Sequence, residues 1–208
     1  AIGSNAGTAI TTGDNNVAIG TSALTSHTTG ANNIGIGVSA LSANTSGAQN
    51  VAVGDNALAT NITGLRNTAV GYWASRLSTG ADNVAMGYNC LGNNTGASNT
   101  AIGTRALQSN TTASSNTAVG YQAVYSNTTG TGNTGIGGEA GLSLTTSSYN
   151  TALGFRALKL TTTASNNTAV GTFALQANTT AGDNTAVGYS ALTANTTGAS
   201  NTAVGKGA

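Results

Sequence analysis

His27, Cys90 and five carboxylates (Asp14, Asp55, Asp82, Glu139 and Asp183) are the only His, Cys, Asp or Glu side chains in 208 residues. Acid–base catalysis needs such groups gathered at one point, and sugar hydrolysis needs two facing carboxylates. A zinc centre needs several convergent ligands. The seven groups are scattered instead, and Glu139 has no charged partner in its own stretch of chain. Asp14, Asp82 and Asp183 do not sit in a Gly-Gly-x-Gly-x-Asp calcium repeat. A lone cysteine cannot make an intrachain disulfide. The expectation is a protein that is not an enzyme and that uses no metal and no cofactor.

Composition narrows the class further. Charged residues are 5% of the chain, glycines number 30, proline is absent and the net charge is +1. Six cations spread through the sequence do not make a nucleic-acid groove, which needs clustered Lys and Arg. No apolar run is long enough to cross a membrane as a helix, and no signal-peptide pattern opens the sequence. The partners expected exclude nucleic acid and membrane insertion.

What positions the side chains is a repeat. Glycines preceded by a small and then an aliphatic residue recur at 3, 20, 37, 54, 71, 87, 103, 120, 137, 154, 171, 188 and 205, at intervals of 17 residues ten times and 16 twice. No stretch lies outside this register, so residues 1–208 read as one repeat domain. Both ends are raw coil without a polar cap, which is expected of a segment of a longer fibre. Four residues before each anchor glycine from 20 onward stands Asn16, Asn33, Asn50, Asn67, Asn83, Asn99, Asn116, Asn133, Asn150, Asn167, Asn184 or Asn201. The residue just before the anchor is aliphatic or Met, and the one before that is Ala or Gly. Three after it is Ala, or Cys90 once, and four after it is usually Leu. His27 falls in a column otherwise held by Asn44, Asn61, Asn110, Asn127, Asn178 and Asn195, and reads as a polar substitute at a corner.

A 17-residue period is too short for helix-pair repeats. Asn-Thr-Ala-Val-Gly alternates at period two and is rich in strand formers. The absence of Asn-Gly dipeptides argues against hairpins. The pattern therefore predicts an all-β parallel solenoid or β-roll of about twelve coils, with two short strands each and a rise of roughly 58 Å. Stacked asparagines can hydrogen-bond along their column. Alternate strand residues face opposite ways, so so thin a roll hides either the small or the aliphatic column. The sequence leaves open which. The exposed one calls for a partner, and side-by-side copies of the same chain are the expected one.

Asn15-Asn16-Val17-Ala18-Ile19-Gly20 and copies such as Asn116-Thr117-Ala118-Val119-Gly120 resemble the repeat of trimeric autotransporter adhesin heads. The longer unit from Asn184 to Gly198 resembles shaft repeats of phage tail fibres that end in a self-cleaving chaperone domain. The resemblance covers the whole chain. It implies a left-handed parallel β-roll, three chains per fibre, and a place outside a cell, on its surface or on a virion, with a receptor or surface glycan engaged by a separate tip. Adhesin heads repeat at about 14 residues; the longer period here favours the fibre branch.

Tyr72, Tyr88, Tyr121, Phe155 and Tyr189 follow their anchors directly, and Trp73 adjoins Tyr72. These six are the candidate surface contacts, either to sugars or across a seam between protomers. The repeat also generates sequons at Asn44, Asn61, Asn93, Asn110, Asn127, Asn166, Asn178 and Asn195. The leading expectation is the structural shaft of an extracellular or viral fibre supporting attachment. The alternatives are an ice-binding solenoid, which needs a two-dimensional Thr array, and a carbohydrate-binding adhesin head.

Overall fold

The computed structural model describes residues 1–208. Twelve three-residue strands, β1 (Val17–Ile19) to β12 (Thr202–Val204), form one parallel sheet in strict sequence order, and no helix occurs. Each strand pairs in register with the equivalent residues of the next coil, as Thr117, Ala118 and Val119 pair with Thr134, Gly135 and Ile136. The fold is a parallel β-solenoid, the architecture that the repeat predicts.

One detail differs: each coil carries one strand, not two. Beyond the anchor, the residues two and four later both adopt left-handed backbone, such as Gln122 (φ 52°) and Val124 (φ 48°), and a pleat cannot persist through them. Coil-to-coil bonding continues regardless. Of 131 backbone hydrogen bonds only 22 lie within the strands, and the turns make ladders of their own, with Val124 N–H donating to Ala140 O at 2.9 Å and Ser126 N–H to Leu142 O at 3.0 Å.

The middle residue of each strand points inward, and Ala52, Ala69, Ala118, Ala152 and Ala186 are fully buried. The Ala column three after the anchor, Cys90 included, and the Leu column four after it fill the rest of the interior. Holding a leucine in left-handed backbone costs about 1–2 kcal/mol. Burying it completely, as with Leu107 or Leu175, returns about 1.5–3 kcal/mol. The coil in which Gly141 stands where Leu is usual compensates from within: a Cβ there would meet Leu144 Cδ1 at 2.7 Å, because Leu144 fills the space from three residues on.

The asparagine column is internal. Each side-chain oxygen accepts from the backbone N–H of the next asparagine, as Asn116 N donates to Asn99 Oδ1 at 3.0 Å, in eleven consecutive bonds from Asn16 to Asn201. Asn116 Nδ2 also donates to Gly130 O of its own coil at 2.9 Å, so the amide ties the strand to the opposite turn. A buried amide without partners would cost about 1–3 kcal/mol.

His27 is not at a corner. It is fully buried in a second polar column, where Nε2 donates to Gly30 O at 2.7 Å and Nδ1 accepts from Asn44 Nδ2 at 3.2 Å. That column is interrupted at Ser78 and Leu144, and within it the side-chain oxygens of Asn44, Asn61 and Asn127 have no donor. In the two short coils Ser78 and Asn94 keep this buried position. The missing residue is therefore one threonine of the Thr-Thr corner, where loss leaves the interior unchanged.

Candidate functional site

No cleft gathers reactive groups, and no three or more His, Cys, Asp or Glu side chains come together. The cavity of about 500 Å³ near Leu192 and Ala208 is the open top of the last coil. What the rod offers is its outer faces.

The first is the sheet face. Residues on either side of each buried strand centre point outward. The column just before the anchor is aliphatic throughout, and Met86, Ile102, Ile136, Leu153 and Val187 are more than a third exposed. The parallel column at the strand start is Val or Ile in four of the first five coils and Thr from Thr100 to Thr202. None of these positions is charged. This answers the question that the sequence left open: the Ala and Leu columns lie inside, and the Ile/Val column faces out.

The second is the edge that follows the sheet, formed by residues one, two and five after each anchor. Tyr72, Trp73 and Tyr88 stack with centroids 4.8–6.5 Å apart, and the Arg76 guanidinium lies 4.9 Å from the Trp73 ring. Phe155, Phe173 and Tyr189 form an edge-to-face series at 5.8 and 5.9 Å, flanked by Arg156 at 4.8 Å and Lys206 at 6.0 Å. Tyr121, about half exposed, stands apart from both groups. Phe173 is absent from the six candidates read from the sequence. It shares the column of Trp73, and that column's being two rather than one after the anchor hid it. Glu139 does find partners, but from the next coil: Lys159 at 2.7 Å and Arg156 at 2.9 Å. Lys159 first and Arg156 second hold its carboxyl below the usual range.

The edge before the sheet carries Asp14, Asp82 and Asp183, with Arg66 bidentate to Asp82. That contact holds the Asp82 carboxyl below its ordinary range. At the Thr corners, hydroxyls are committed to backbone carbonyls of the next coil, as Thr128 Oγ1 donates to Thr145 O at 3.1 Å. Of the eight sequon asparagines, Asn44, Asn61, Asn110, Asn127 and Asn178 are fully buried, whereas Asn93 and Asn166 are exposed.

Cys90 is sealed in the Ala column, and burial pushes its thiol up to about 12. Thiolate is the reactive form. The native protein is therefore expected to resist maleimide at neutral pH and to be labelled fully once unfolded, which intact mass reads directly. Native labelling as fast as unfolded would place Cys90 outside.

The fold and these faces define the class, a parallel β-solenoid that presents extended surfaces rather than a cleft. No protein-family model, curated protein or solved structure matches the chain.

Proposed function

We propose that this chain is a structural shaft: a rod that packs side by side with parallel copies of itself, without catalysis, in a fibre that supports attachment outside a cell or on a virion. The observation that carries the reading is the uncharged aliphatic column left facing outward for the length of the rod while the interior is already filled. Burying the exposed part of these side chains, more than a third of each of Met86, Ile102, Ile136, Leu153 and Val187, contributes about 0.5–1 kcal/mol at each such coil. Summed along the rod, this favours stable association. Parallel copies meet coil for coil, and the low charge opposes contact little. Three copies per fibre and the location rest on the resemblance of the repeat to adhesin heads and tail-fibre shafts. Ice binding has less support, since the sheet face offers one Thr column beside an aliphatic one rather than a two-dimensional array.

Light scattering tests the reading. The expected mass is three times the 20.0 kDa of the chain. Val119→Lys with Val170→Lys, both on the outward column, should yield monomers with an unchanged β-rich circular dichroism spectrum. A wild-type mass of one chain at micromolar concentration would overturn it.

A further inference from the structure

The charged and aromatic residues are sparse and scattered in sequence, but the coil gathers them. Of six cations, Arg76, Arg105, Arg156, Lys159 and Lys206 fall on the edge after the sheet, one, two or five residues past an anchor. Eight of the nine aromatic residues fall at the same three positions, with Tyr149 the exception. Residues five past the anchor reach those two past it, as the Arg76–Trp73 and Lys159–Glu139 contacts show. Only Asp55 and Glu139 oppose the cations there, while Asp14, Asp82 and Asp183 lie on the other edge against Arg66 alone. The rod is thus positive and aromatic along one edge and acidic along the other.

We infer that the edge running from Tyr72 to Lys206 binds an acidic polysaccharide lying along the rod. Tyr72, Tyr88, Tyr121 and Tyr189 stand on it, each roughly 40–50% exposed. Aromatic rings cover the apolar faces of sugar rings, and their hydroxyls remain free for sugar hydroxyls. Guanidinium and ammonium groups pair with carboxylates. The spacing selects the polymer. Arg76, Arg105, Arg156 and Lys206 sit two or three coils apart, so charge recurs about every 10–15 Å along the axis. That matches carboxylates on every second or third sugar of an extended chain. A nucleic-acid strand places a phosphate about every 3.4 Å, several times denser than these cations can neutralise. The inference goes beyond the shaft reading and does not require it, because the edge borders the sheet face rather than being part of it.

Affinity electrophoresis of the 208-residue chain through gels holding hyaluronate, dextran or poly(dT) tests the inference. Hyaluronate should retard the protein, and neutral dextran should not. The triple variant Arg76→Gln, Arg105→Gln, Lys206→Gln should bind hyaluronate about tenfold more weakly. Asp14→Asn with Asp183→Asn, on the far edge, should leave binding unchanged. No retardation by hyaluronate, equal retardation by dextran, tighter binding to poly(dT), or a triple variant that binds like wild type would each overturn the proposal. The first three comparisons use wild-type protein, so none depends on a variant folding. Light scattering on the same samples reports the assembly state separately, so a monomeric rod that binds hyaluronate sinks the shaft and leaves this inference standing.

Discussion

Gly137→Ala is expected to destabilise the rod by about 3 kcal/mol or more, while Gly138→Ala next to it changes stability by no more than about 0.5 kcal/mol. Gly137 sits at φ 129°, which L side chains rarely adopt, and a Cβ there would lie 2.7 Å from both the carbonyl carbon and oxygen of Gly154 in the next coil. Backbone strain of this kind costs about 1–3 kcal/mol by itself. The clash adds to it, because the only relief is to push two coils apart, and their spacing is held by bonds such as Gly154 N–H to Ile136 O at 2.8 Å. At Gly138 the nearest neighbour of an added Cβ is the Phe155 ring at 3.3 Å, and other coils place Tyr or Phe at this position. Thermal and urea denaturation of the two variants measure the difference. Equal stabilities would mean that the corner can open without cost and that the stacking geometry is wrong.

Ala123→Leu should cost about 1–3 kcal/mol or more through overpacking, and Gln122→Leu should cost little. Both are neighbours in one turn, and only their direction separates them. Ala123 is fully buried in the interior column, hemmed in along the rod by Ala106 and Ala140. Gln122 faces outward at φ 52°, and glutamine and leucine bear that backbone equally badly, so the exchange adds no strain. Denaturation midpoints in urea distinguish the pair. Similar losses at the two positions would show that the columns have been assigned to the wrong sides.

The period and the parallel stacking follow from the sequence alone, because a chain that repeats every 16 or 17 residues without interruption must place equivalent residues at equivalent heights. The asparagine and small-residue columns were legible for the same reason: each recurs at every level, so its environment must recur too. What the sequence did not determine was direction. Val119 and Ala118 alternate, and period two says that they face opposite ways without saying which is inside. The tertiary fold decides it by volume, since the Ala and Leu columns across the narrow interior leave room for a methyl at the strand centre and no more. Leucine and valine in left-handed backbone were equally hidden, because intrinsic preference opposes them there and only the burial of Leu107 or Val124 makes the turn worthwhile. That is also why the second strand was expected and is absent. The aromatic and cationic edge belongs with these. Residues such as Arg76, Arg105 and Lys206 lie far apart in a list of 208, and only winding the chain into coils brings them onto one line.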